Sequence, residues 1–173
     1  FCLSRGLGDV YKRQAINKLG IEPKLVLEPG RYIVGDTTIL LTRVNAVKRA
    51  YKNFAAVDAG FNLLIRPVMY DAYHEVIAAS KADSEEKEVY HIAGPICETG
   101  DILAKDRKLP KIEQGDIIAV LEAGAYGFAM SSQYNLRPRC AEVLVCNGKA
   151  EVIRHRETFG DLLAKQNLPA RLI

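Results

Sequence analysis

The chain has 173 residues, enough for one domain with a proper core and a short appended piece. Its apolar and charged fractions, 49% and 26%, are those of an ordinary globular protein, and no apolar run is long enough to span a bilayer. Net charge is +3, but Arg5, Lys12 and Arg13 against Asp9 supply most of it, so nothing points to nucleic acid or a membrane surface.

Residues 1–14, FCLSRGLGDVYKRQ, show no helical or strand period and no apolar core before a cleavage site. They are expected to be a non-native leader rather than a signal peptide. AINKLG (15–20) predicts the end of a helix stopped by Gly20, and KLVLEPG (24–30) a short apolar strand ending at Pro29-Gly30. Helix, buried strand and loop in that order are the cadence of a β/α barrel, so residues 15–33 are expected to be the remnant of one.

From residue 34 to 173 the texture is that of a β domain, a barrel or a sandwich. TRVNAVKRA (42–50) and much of VMYDAYHEVIAA (68–79) alternate apolar and polar residues; KEVYHIAG (87–94) does so more weakly. DIIAVLEAGAY (116–126) opens on a turn signal and is apolar enough for a central strand. ASKADSEEKE (79–88) reads as a solvated charged loop. Asn147-Gly148 between two alternating segments predicts a hairpin. Thr158 with Asp161 three residues on predicts a capped C-terminal helix.

Several segments carry groups suited to chemistry. Gly30 in Glu28-Pro29-Gly30-Arg31 permits close backbone approach, and Arg31 offers planar contact with phosphate or carboxylate. Taken alone, that segment is a turn with a surface arginine. In Arg66-Pro67-Val68-Met69-Tyr70 the proline disfavours helix at Arg66, and on an extended segment Arg66 and Tyr70 share a face. An exposed arginine with a core tyrosine is an equal alternative. Asp58-Ala59-Gly60 is expected to be a turn, with a weaker claim on function. Small residues around Tyr126 leave room for a flat ligand or for a tight crossing of strands.

Cys97-Glu98 lies in a stretch too rich in Gly, Pro and Thr for a helix. A thiol is a useful proton donor near neutral pH, and a neighbouring carboxylate tends to keep it protonated. Both side chains serve one site only where the backbone is irregular. Four cysteines without a CxxC pair and three histidines without ligand spacing make a zinc site or a disulfide framework unexpected. A reducing, cytoplasmic compartment is expected on the same ground.

Four stretches in order, EPGR, RPVMY, HIAGPICETGD and AGAYGFAMSSQYN, with connecting sequence such as VDAGFNLLIRP, resemble the diaminopimelate decarboxylase family between about Lys18 and Leu168. That family shares the fold type of alanine racemase and ornithine decarboxylase. The resemblance implies an N-terminal β/α barrel carrying pyridoxal 5′-phosphate, a C-terminal β domain, and a homodimer with composite active sites. It implies that Glu28, Pro29, Gly30 and Arg31 line the cofactor, with Glu28 at the pyridine nitrogen and Gly30 and Arg31 at the phosphate. It further implies that Arg31 lies near substrate, that Arg66 and Tyr70 bind the distal carboxylate, and that Tyr126 lines both cofactor and substrate. Cys97 is then the acid that protonates the carbon after carbon dioxide leaves, and Glu98 holds the distal ammonium, both entering the partner subunit's site.

Two departures are small: Thr99 where the family has Ser, and Cys140 where it has Pro, read as structural. The large one is extent. A β/α barrel takes about 250 residues, and the family's Schiff-base lysine and glycine-rich phosphate loop have no counterpart here. The chain is therefore expected to be a C-terminal fragment, inactive by itself. Two rivals stay open, a sister decarboxylase acting on arginine or a carboxylated polyamine precursor, and a non-catalytic binding or regulatory β domain.

Overall fold

The computed structural model describes residues 14–20, 26, 28–84 and 88–172. Residues 14–19 form helix α1, which stops at Gly20 in the left-handed region (φ 63°), the termination its sequence predicts. The expected leader (apart from Gln14) and residues 24, 25 and 27 of the expected strand at 24–30 lie outside the described residues. After Pro29 the backbone turns directly into a one-turn helix, α2 (Gly30–Val34), and then a 3-10 turn, Gly35–Thr37.

Six strands follow: β1 (Leu40–Arg49), β2 (Asn53–Val57), β3 (Val76–Ala78), β4 (Glu88–Ala93), β5 (Ile102–Leu109) and β6 (Ile117–Val120). They make one sheet in the order β3-β6-β1-β2-β4-β5, antiparallel throughout except for β2 beside β4. The parallel pair needs a long crossover, and the segment between β2 and β4 supplies it. The sheet nearly closes into a barrel. Arg107 on edge strand β5 donates to the His74 carbonyl just before the other edge, β3 (3.3 Å), and lays its guanidinium 4.0 Å from the centre of the Tyr73 ring. The expected mainly β architecture is therefore present as a barrel. Its interior is filled by the inward-facing alternate residues of each strand, among them Val44, Val57, Tyr90, Ile92 and Ile118. Tyr90 keeps its hydroxyl satisfied inside by donating to Glu88 (2.7 Å) and accepting from the Ile112 N–H (3.1 Å).

One expectation is overturned within the crossover. Arg66–Tyr70 is not extended; it is a one-turn helix, α3. The bias of Pro67 against a helical Arg66 is overcome because the N–H groups of Val68 and Met69 both converge on the Ile65 carbonyl (3.1 and 3.0 Å). Proline in the first turn sacrifices no internal bond. The helix ends at Asp71 in the left-handed region (φ 47°), its N–H returning to the Arg66 carbonyl. Arg66 and Tyr70 still share a face, now because they stand four apart on a helix. Within 68–79 the strand is confined to β3, although alternating burial already runs from Ala72 to Ala78. The charged segment after β3 starts with a 3-10 turn, Ala79–Lys81, and residues 85–87 of it lie outside the described residues.

The predicted hairpin is β7 (Glu142–Cys146) with β8 (Lys149–Arg154). Asn147 (φ 50°) and Gly148 (φ 74°) are both left-handed, as a two-residue turn matched to strand twist requires. The hairpin is a separate two-stranded sheet, largely exposed on both faces. It is tied to the segment after the barrel by ion pairs and rings: Arg139 and Arg154 lie 4.9 and 4.2 Å from the Phe128 ring centre. Glu157 accepts from the Arg139 backbone N–H (2.8 Å) and from its guanidinium (2.6 and 2.8 Å). Helix α4 (Phe159–Leu163) then begins on the predicted capping box of Thr158 and Asp161.

The bonds to Arg139 hold the Glu157 carboxyl down at about 2 from an ordinary 4.5. A depressed carboxyl stabilises the fold above its unfolded value and loses that contribution as pH falls through its folded value. Between about pH 4.5 and 2 the hairpin's tie should therefore loosen while the barrel stays intact. Amide exchange followed by NMR should show the Arg139 N–H losing protection in that window. Glu157→Gln should abolish the pH dependence.

Candidate active site

Three separate loops converge at one end of the barrel, and each carries a residue singled out by sequence. Arg31 comes from α2, Arg66 from α3 and Tyr126 from the loop after β6. Arg66 lies with its guanidinium 5.6 Å from the centre of the Tyr126 ring, and its Nη1 is 3.3 Å from His74 Nε2. Arg31 Nη2 is 3.6 Å from Glu122 Oε2, across a half-exposed surface where such a pair is weak. Burial first, and then the charge of Arg31, push the Arg66 guanidinium below its ordinary range. Two cations gathered around the loop after β6, Arg66 at Tyr126 and Arg31 at Glu122, make a site that favours an anion.

Backbone geometry holds this cluster together. Ala123 N–H donates to the Thr38 carbonyl (2.8 Å) and Gly124 N–H to the Gly35 carbonyl (3.2 Å), docking the end of α2 on the loop after β6. A Cβ at Gly124 would sit 1.9 Å from the Val34 carbonyl oxygen, so only glycine allows the approach. Glu122 (φ 57°) and Tyr126 (φ 65°) adopt left-handed conformations unusual for their residue types. Such strain gathers where side chains must be aimed. The small residues around Tyr126 thus include a close backbone approach, made to the end of α2 and not to a strand, and Tyr126 itself stays half-exposed at 47%. Tyr70 is exposed on the α3 face that carries Arg66. Glu28, Pro29 and Gly30 form the exposed turn entering α2, and among the described residues the Glu28 side chain makes no hydrogen bond or ion pair.

A second centre carries Cys97 and Glu98. Their loop is irregular, as its Gly and Pro content implies, and it exposes both side chains while Ile96 is buried (6%). The buried carboxylate of Asp101 pins it. That group accepts from the N–H of Ile96 (2.8 Å) and of Phe61 (2.7 Å), while Gly94 N–H bonds the Asp101 carbonyl (2.9 Å). Burial pushes the Asp101 carboxyl up, against the lowering effect of those two N–H donors and of Arg137. Asn135 Nδ2 donates to Cys97 Sγ at 3.4 Å, linking the last of the four motifs to the third. Among the described residues, neither Cys97 nor Glu98 has a hydrogen bond or ion pair to Arg31, Arg66 or Tyr126. Asp58, the weaker candidate, is structural: it accepts from the Thr42 hydroxyl (2.5 Å) and the Arg43 N–H (2.9 Å), holding β1 to the turn after β2.

Sequence reasoning missed His74, Glu122, Asp101 and Asn135. A signal existed for His74, because the alternation ending in Val76 and Ala78 puts it on the inward face. Asp101 closes the Cys97 motif, two glycines before it, yet a local reading has no way to see which N–H groups it will meet.

The family described as "Pyridoxal-dependent decarboxylase, C-terminal sheet domain" matches residues 24–124. The diaminopimelate decarboxylase of Archaeoglobus fulgidus is 66% identical over 88% of this chain and 36% of its own length. That of Methanothermobacter thermautotrophicus is 58% identical over 87% of this chain and 35% of its own. The solved diaminopimelate decarboxylase of M. jannaschii in complex with L-lysine superposes with a TM-score of 0.80 at 39% identity, over 95% of this chain and 38% of that one. The chain spans about a third of the length of these curated relatives. Matched over most of its barrel and at these identities, the chain belongs to the pyridoxal-dependent decarboxylases, whose C-terminal sheet domain it carries.

Proposed function

We propose that this chain is the C-terminal part of a diaminopimelate decarboxylase, an enzyme that removes one carboxylate of meso-2,6-diaminopimelate to leave L-lysine and carbon dioxide. The observation that carries the reading is that Arg66 lies against Tyr126 and Arg31 pairs with Glu122, which brings three distant segments together at the loop after β6. Two guanidiniums and a phenol fit a pair of anionic groups, one cofactor phosphate and one substrate carboxylate, better than they fit a diamine. Pyridoxal phosphate, when bound, supplies the electron sink for the pair left by the departing carbon dioxide.

The chain's own residues do the rest. Glu28, Pro29, Gly30 and Arg31 line the cofactor, Glu28 at its ring nitrogen and Gly30 with Arg31 at its phosphate. Arg66 and Tyr70 take the distal carboxylate, and Tyr126 closes the cleft between cofactor and substrate. Glu98 takes the distal ammonium, and Cys97 gives its thiol proton to the substrate carbon. Among the described residues Cys97 and Glu98 bond to none of Arg31, Arg66 and Tyr126, and this supports a homodimer in which these two residues serve the second subunit's site. Residues 15–33 are the remnant of the cofactor-binding β/α barrel and residues 34–173 the C-terminal β domain in this reading.

Charge sets the choice of substrate. Ornithine lacks the distal carboxylate and leaves Arg66 unpaired, and a site built to pair a polar group rejects analogues without it by large factors. The complete protein, supplied with pyridoxal phosphate, should form L-lysine from meso-diaminopimelate at least about a hundredfold more efficiently than it decarboxylates ornithine or arginine. Arg66→Gln should lower kcat/KM for diaminopimelate about a hundredfold, mostly through KM. Faster turnover of arginine or a carboxylated polyamine would transfer the reading to a sister decarboxylase. No turnover of any of these would support a binding domain instead.

A further inference from the structure

We propose that His74 is a positioning residue that holds the Arg66 guanidinium in place and thereby sets affinity for the substrate's distal carboxylate. This rests on the reading of Arg66 as the carboxylate ligand. His74 is buried (1% exposed) at the inward position just ahead of β3. Its Nδ1 lies 2.8 Å from the Leu121 carbonyl oxygen and its Nε2 lies 3.3 Å from Arg66 Nη1. A carbonyl only accepts and a guanidinium only donates, so Nδ1 must carry the proton and Nε2 must offer a bare lone pair. The two partners select one neutral tautomer. Burial first, then the charges of Arg66 and Arg31, keep the imidazole below its ordinary range, so the lone pair stays available at neutral pH.

His74 is itself bonded through both its ring and its carbonyl. Its carbonyl accepts from Arg107 on edge strand β5 (3.3 Å), and its ring is bonded to the Leu121 carbonyl just after the interior strand β6 (2.8 Å), so two strands of the barrel fix the imidazole against Arg66. Arg66 otherwise lies between opposing neighbours, repulsive Arg31 on one side and Tyr126, Glu122 and Tyr70 on the other. One N–H given to His74 and one face laid toward Tyr126 leave the remaining N–H groups free for a planar carboxylate. A hydrogen bond to a charged group is worth roughly 10- to 100-fold in an equilibrium constant.

The test uses the complete protein with pyridoxal phosphate. His74→Leu removes both ring bonds at similar volume and should raise KM for meso-diaminopimelate roughly 10- to 100-fold with kcat changed less than about threefold. Inhibition by cadaverine, a diamine with no carboxylate, should be unaltered. His74→Gln, which keeps an acceptor and a donor, should restore most of the affinity. A fall in kcat with KM unchanged, or equal weakening of cadaverine and diaminopimelate, overturns the proposal provided Arg66→Gln raises KM. If Arg66→Gln leaves KM unchanged, the carboxylate role fails and this proposal fails with it. Nitrogen-15 NMR of the wild-type imidazole decides the case without any variant: a protonated Nδ1 and bare Nε2 are expected, and the opposite tautomer overturns it.

Discussion

Asp101→Ala should cost about 3–5 kcal/mol of stability and free the loop that carries Cys97. The carboxylate accepts a buried N–H from Ile96 and a part-buried one from Phe61, which alanine leaves unpaired at about 1–3 kcal/mol each. It also fills the space against two glycines: a Cβ at Gly60 would meet it at 2.8 Å and one at Gly94 at 2.2 Å. Removing it therefore opens a void as well. The loop beyond has few other ties, since Cys97, Glu98, Thr99 and Gly100 are all exposed. Asp101→Asn keeps one acceptor oxygen but turns an NH2 toward the second N–H, so about half the loss is expected. Urea denaturation of the chain reads the stability. The lysine-forming rate of the complete protein should drop further than stability explains, because a proton donor displaced by about 1 Å loses about a hundredfold. An alanine variant as stable as the parent, with unchanged turnover, would remove Asp101 from this role.

How much of this could be read beforehand varies with the range of the interaction involved. The Asn147-Gly148 turn and the Thr158–Asp161 capping box were legible because each depends on residues within four positions of one another. The strands were legible where one face is buried, as in β1, whose inward positions Thr42 and Val44 alternate with exposed neighbours. The parallel pairing of β2 with β4 was not, since local alternation says nothing about which distant strand lies alongside. The helix at Arg66–Tyr70 departs from the extended segment its sequence predicts because the rule for residues before proline describes an isolated dipeptide, whereas here two N–H groups settle on the carbonyl of Ile65. Candidate residues were recognisable by side-chain chemistry within motifs. Their supports, His74 and Asp101, answer to partners tens of residues away, Leu121 in one case and Phe61 in the other.

Gly124→Ala should leave the barrel standing yet reduce lysine formation by the complete protein about a hundredfold. The added methyl would land 1.9 Å from the Val34 carbonyl oxygen and 2.8 Å from Thr37 Oγ1. Neither can step aside cheaply. Thr37 Oγ1 is already bonded to that carbonyl at 2.8 Å, and the bonds from Ala123 to Thr38 and from Gly124 to Gly35 fix the two backbones against each other. The weaker partner must yield, and that is α2, which has five residues, none of them buried. Displacing α2 carries Arg31 away from Arg66 and Glu122, dissolving the paired cationic site while the sheet, which α2 does not enter, keeps its core. Thermal melts should thus shift only a few degrees, and the loss should appear in pyridoxal phosphate affinity together with kcat/KM. Activity within threefold of the parent would mean that the position of α2 does not matter to the chemistry, and with it the assignment of Arg31 would fall.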